Sequence, residues 1–176
     1  MTMKFAEHEV RQIAEDTWKI VLGEELEPAT KRITPGEIED SMAACAQIAG
    51  DWQLAVVLYC SSALARHVAT VMFGTDEKET STADVNDAMC EMINIIAGNI
   101  KGVLSGSSHL ALPNLVKGQD FNLMFPRHVL LSEVDFTCNG QPVLVVVLGE
   151  DKIAARKESR PGDRPIEPVS GRAGGS

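Results

Sequence analysis

Asp87, Glu91, Asn94 and Gly98 interrupt an otherwise apolar stretch, STADVNDAMCEMINIIAGNIKGVLSG. At 3.6 residues per turn these four positions fall within about 60° of one another, whereas Met89, Met92, Ile93, Ile96, Ile100, Val103 and Leu104 take the opposite side. The spacing predicts one helix with a buried face and a polar face. The polar face offers two carboxylates, a carboxamide and, at Gly98, a gap in the side-chain surface where another molecule's backbone can come close. A carboxylate accepts hydrogen bonds and pairs with cations, and an amide both donates and accepts. The chemistry on offer is holding and positioning another molecule. Asn is a poor helix-interior residue, and Gly costs about 1 kcal/mol relative to Ala, so both weaken a helix that other residues would build more stably.

Other chemistries find no support in the residues. His8, His67, His109 and His128 are scattered, and none stands at a ligand spacing from a Cys or another His. Cys45, Cys60, Cys90 and Cys138 form no C-x-x-C pair, which indicates structural, reduced thiols rather than a zinc or redox site. The glycines and serines of residues 102–108 lack the Gly-Lys-Ser/Thr of a phosphate loop and leave a helix instead of entering one. No G-x-S-x-G elbow occurs. Met72, Met89, Met92 and Met124 read as core fillers.

The elements that position the polar face are legible from their punctuation. Val10, Ile13, Ala14, Trp18 and Val21 repeat at helical spacing up to Gly23, giving a first helix. The charged connector EELEPATKRITPGEIED, broken by Pro28 and Pro35, has room for a short strand. SMAACAQIA and WQLAVVLYC flank Gly50-Asp51 as a hairpin. Ser61 and Ser62 are caps for a second helix, ALARHVATVMFG, ending at Gly74. Ser81 or Thr82 caps the polar-faced helix, with Asp84 and Asp87 toward its positive end. HLALPNLV, FNLMF, VLLSEVDFTC and PVLVVVLGE are strand candidates, the last two joined by Asn139-Gly140, the strongest hairpin signal in the chain. Interleaved helices and hairpins imply an α/β (α+β) fold, an antiparallel or mixed sheet packed against helices.

At 176 residues and 44% hydrophobic content the chain suits one domain with a sizeable core. No apolar run is long enough to span a bilayer, and the first residues lack the features of a secretory signal, so a cytoplasmic location without membrane contact is expected. The net charge of −9 argues against nucleic acid. Residues 151–176 are rich in Pro and Gly, carry a surplus of two positive charges and hold few apolar side chains, leaving −11 on residues 1–150. The tail is expected to be flexible, either touching an acidic partner or simply solvated.

The D-x-x-x-E-x-x-N pattern of Asp87, Glu91 and Asn94, followed by Gly98 and by Pro113 in LPNLVKGQDFNL, resembles the signature of the CheC and CheX chemotaxis phosphatases. The likeness extends through AQIAGDWQLAVVLYCSSALARHVATVMFG and the terminal strands, over roughly residues 5 to 149, and implies a CheC-like fold with a phosphatase domain at 1–150. Only one copy of the motif is present. The first helix has Glu15 and Trp18 where a second Glu and Asn would stand, which favours the single-site CheX type. Members of that family hydrolyse the aspartyl phosphate of CheY-like response regulators, and CheX is a homodimer. The resemblance implies that Asn94 orients water for in-line attack while Glu91 pairs with the regulator's lysine. Mg²⁺ is then supplied by the regulator, and this chain binds no cofactor or metal of its own.

Asp87, Gly98, Lys101 and Pro113 complete the expected partner-binding set. Asp87 either favours the helix dipole or reinforces docking, and Lys101 either meets the partner or stays in solvent. Pro113 follows Asn94 at a somewhat shorter gap than in the CheC form. A neutral amide suits phosphoryl chemistry because it holds water without repelling the phosphoryl group, whereas a bare carboxylate there adds like-charge repulsion. The alternative from another class is a non-catalytic module that uses the same helix to bind a receiver or join a flagellar switch, since FliM-like proteins share this architecture. A structural dimer whose polar helix face meets only water is a third reading.

Overall fold

The computed structural model describes residues 6–117 and 125–150. Among these, three helices and seven strands follow in the order α1 (Glu7–Leu22), β1 (Glu27–Pro28), a 3₁₀ turn (Pro35–Glu37), β2 (Ser41–Gly50), β3 (Leu54–Ser61), α2 (Ser62–Phe73), α3 (Thr82–Gly102), β4 (Ser108–Leu110), β5 (Asn114–Lys117), β6 (His128–Cys138) and β7 (Gln141–Glu150). The strands make one sheet in the order β1-β6-β7-β3-β2-β4, with β5 also on β2. Every pairing is antiparallel, which resolves the expected antiparallel or mixed sheet in favour of the first.

Strand alternation divides the sheet into two faces. Met42, Ala44, Ala46 and Ile48 of β2, Val56 and Leu58 of β3, and Val143, Val145 and Val147 of β7 face the helices. Trp18 of α1, Leu64 and Val68 of α2, and Met89, Met92, Ile93, Ile96 and Ile100 of α3 meet them. The intervening Ala43, Cys45, Val57, Tyr59, Leu144, Val146 and Leu148 form a second cluster with Ile33, Ile38 and Phe125. With both faces covered, every residue of β3 is buried. That accounts for the unbroken apolar run LAVVLYC, which no alternating pattern would produce.

The β6–β7 hairpin turns at Asn139 and Gly140, with φ of 50° and 75°. Two successive positive φ values belong to a type I′ turn, the geometry that Asn-Gly adopts most readily. The Ser61 hydroxyl accepts from the Leu64 amide as the cap of α2. Of the two caps proposed for α3, Ser81 serves: its hydroxyl accepts from the Asp84 amide at 3.1 Å, and its own amide donates to the Asp84 carboxylate at 2.8 Å.

One sequence expectation changes. HLALPNLV forms two short strands instead of one, because β4 pairs with Ile48–Gly50 and β5 with Met42–Cys45, leaving Ala111, Leu112 and Pro113 between them. Proline lacks the N–H that a continuous ladder needs. The charged connector holds the expected short strand, β1, two residues long, together with the 3₁₀ turn. FNLMF, apart from buried Phe125, and the 151–176 tail lie outside the described residues.

Candidate functional site

α3 is anchored along its length by Val85, Ala88, Met89, Met92, Ile93, Ile96, Ala97 and Ile100, all buried. The opposite face carries Asp87 and Glu91, both exposed, and Asn94, Gly98 and Lys101, all half-buried. A buried face of this size fixes the helix against the sheet, so the polar stripe is held on a rigid body.

Glu91 and Asn94 open onto a groove of about 390 Å³ whose remaining walls are Ile95, Leu110, Ala111, Leu112 and Pro113. Pro113, far from the stripe in sequence, is thus brought beside the acid and the amide. Asp87, Gly98 and Lys101 share the helix face but do not line the groove. A side chain added at Gly98 would meet nothing within 4 Å, so the glycine leaves an open gap and does not relieve crowding inside the chain. Neither the Glu91 carboxylate nor the Asn94 carboxamide is engaged by another described residue.

The far wall is held by a backbone clamp. Asp51, at the β2–β3 turn, donates its amide to the Ser107 carbonyl at 2.9 Å and accepts the Ser107 amide on its carboxylate at 2.7 Å. The Trp52 indole N–H donates to the Ser105 carbonyl at 2.7 Å. Between β4 and β5, the Ala111 amide donates to the Gln47 carbonyl at 2.9 Å. Gly106 sits in this clamp at φ 88°, with the space of its missing Cβ taken by the Asp51 carboxylate.

Cys90 flanks the stripe, and burial first, then the neighbouring Asp87 charge, pushes its thiol up from the ordinary range. It stays protonated at neutral pH and is no nucleophile. Among the described residues, no three His, Cys, Asp or Glu side chains converge as a metal site. On α1, Trp18 is fully buried, while in the cleft lined by Gln12, Glu15, Asp16, Lys19, Glu25 and Leu26 a Gln12–Asp16 hydrogen bond and a Lys19–Glu25 ion pair engage the polar side chains. The α3 arrangement has no twin there. Sequence reasoning missed Ile95, Leu110, Ala111 and Leu112 as groove walls, because they sit in apolar runs that read as buried strand or helix.

An amide and a carboxylate one turn apart, both reaching solvent and both without a partner among the described residues, can engage groups on an incoming molecule. This pair lacks an activated nucleophile of its own.

No curated protein matches the chain significantly. Among solved structures, it is similar to CheX from Desulfovibrio desulfuricans (16% identity, TM-score 0.62, covering 81% of this chain and 97% of that one). CheX from Vibrio vulnificus is similar to the same degree (17% identity, TM-score 0.63, covering 84% and 98%). So is the CheX of a CheX-CheY-BeF3-Mg²⁺ complex from Borrelia burgdorferi (17% identity, TM-score 0.62, covering 81% and 95%). At these identities the likeness establishes the fold. The family model for the chemotaxis phosphatase CheX matches residues 42–137, more than half of the chain. The chain therefore belongs to the CheX chemotaxis phosphatase family.

Proposed function

We propose that this protein hydrolyses the aspartyl phosphate of a CheY-like response regulator. The observation that carries the reading is the joint presentation of Glu91 and Asn94, open and without a partner among the described residues, on a helix whose other face is locked into the core. The similar Borrelia chain is in complex with CheY, BeF3 and Mg²⁺, which supports a receiver as the partner.

In this reading the Glu91 carboxylate pairs with a lysine of the receiver and fixes the register of docking. The Asn94 carboxamide then enters the receiver's site and holds a water in line with the scissile bond. Water oxygen attacks phosphorus, the bond from phosphorus to the aspartyl oxygen breaks with its electron pair going to the carboxylate, and inorganic phosphate leaves with the water's oxygen and its protons. Positioning is the main demand of phosphoryl transfer, and a neutral amide meets it without opposing the phosphoryl charge. Mg²⁺ belongs to the receiver and supplies charge neutralisation there. The same reading takes the protein as a cytoplasmic homodimer, for which light scattering at micromolar concentration is the check.

The test is to add the protein to a phosphorylated receiver with Mg²⁺ and follow loss of the aspartyl phosphate. Faster decay than the receiver alone supports hydrolysis. Binding with no acceleration supports the non-catalytic receiver-binding reading instead.

A further inference from the structure

Leu112 is 88% exposed, the highest value among the exposed large apolar side chains of the described residues, and it lines the Glu91–Asn94 groove. An isolated exposed leucine is ordinary. The backbone around this one is not. Ile48 pairs with Leu110 and Cys45 with Asn114, so Ala111, Leu112 and Pro113 stand opposite only Ala46 and Gln47. One residue too many on the outer strand makes a bulge, and bulges re-aim side chains. The Ala111 amide is tied to the Gln47 carbonyl, Pro113 has a fixed φ, and β5 resumes at Asn114. With both neighbours constrained in this way, Leu112 stands outward at the bulge.

We infer that Leu112 is a preorganised apolar anchor that seats on a hydrophobic patch of the receiver, beside the pocket that Asn94 enters. The inference rests on the receiver being the partner and adds a docking residue to that site. Continuity argues for this occupant: Leu112, Pro113 and Ala111 line the same groove as Glu91 and Asn94, so a molecule seated in that groove against the amide lies beside the leucine. A side chain already fixed in its bound position loses little entropy on docking, which makes a single apolar contact count. Ile20, 83% exposed on α1 and outside the groove, is the natural control.

The experiment measures binding of each variant to a CheY receiver activated with BeF3 and Mg²⁺, and in parallel the KM and kcat for dephosphorylation of the same receiver. Leu112→Ala and Leu112→Asp should raise Kd and KM about tenfold or more with kcat within about twofold, tenfold being the factor that 1.4 kcal/mol provides. Leu112→Met should restore binding, and Ile20→Ala should leave it unchanged. Circular dichroism will confirm that variants at so exposed a position stay folded. A Kd that does not move in Leu112→Asp overturns the anchor, even where the wild type is an active phosphatase. A wild type that binds without catalysis, with binding lost in Leu112→Asp, overturns the phosphatase reading and upholds the anchor. A wild type that neither binds nor hydrolyses overturns both.

Discussion

Asn94, midway along α3, and Pro113, in the connection between β4 and β5, line one groove from opposite sides. The amide is fixed by the helix's buried face. The proline is fixed by what β2 and the β2–β3 turn offer the chain after α3. The site is therefore as good as the junction between two independently anchored segments, and each anchor has its own test.

Gly106 holds the second segment. At its φ of 88° an added side chain is strained, and its Cβ would have to displace the Asp51 carboxylate that accepts the Ser107 amide. Gly106→Ala should cost about 1–2 kcal/mol from the left-handed backbone alone. Thermal unfolding should show a Tm lower by about 2–8 °C, and receiver dephosphorylation should fall beyond any loss of folded protein, because the clamp that places Ala111–Pro113 is loosened.

Gly98 gives the opposite pattern. Its Cβ position is open, so Gly98→Ala should stabilise the helix by about 0.5–1 kcal/mol. Gly98→Leu should remain folded, yet lower kcat/KM for the receiver about tenfold or more, since the obstruction arises only when a partner's backbone approaches. A Gly98→Leu protein as active as wild type would remove Gly98 from the docking surface.

These two glycines also mark what was legible in sequence. Gly98 stood out because helical periodicity is local: the positions of Glu91, Asn94 and Gly98 on one face follow from spacing alone. The Ser61 cap and the Asn139-Gly140 turn were readable for the same reason, each being decided within a few residues. The division of HLALPNLV was not. It depends on β2 having two separate stretches of free edge, a tertiary fact, and without it Leu112 looks like any strand residue. Pro113 inside an apolar run was the one available warning that the strand breaks there. The buried second face of the sheet was likewise hidden: LAVVLYC read as a hairpin strand, but what covers its second face, Ile33, Ile38 and Phe125, comes from segments distant in sequence.

The cap of α3 carries a pH signature. Asp84 lies below its ordinary pKa of 3.8, first because it accepts the Ser81 backbone amide and then because it accepts the Ser81 hydroxyl. A carboxylate whose pKa is depressed on folding stabilises the fold above its unfolded pKa, and that contribution fades as pH falls through the lower folded value. Asp84→Asn should lower Tm at pH 7, and the gap to wild type should close in the acid range below about pH 4. Tm measured across pH 2–7 reads this directly, and an equal gap throughout would assign the loss to packing at the helix start.

The most direct measurement compares wild type and Asn94→Ala for hydrolysis of a phosphorylated CheY receiver with Mg²⁺ under saturating protein, alongside their affinities for the BeF3-activated receiver. Loss of one preorganised group that positions a reacting species costs about a hundredfold or more in rate. Asn94→Ala should show that loss with its affinity held within a few-fold. Equal rates in the two proteins, or a wild type no faster than the receiver's own decay, would contradict it.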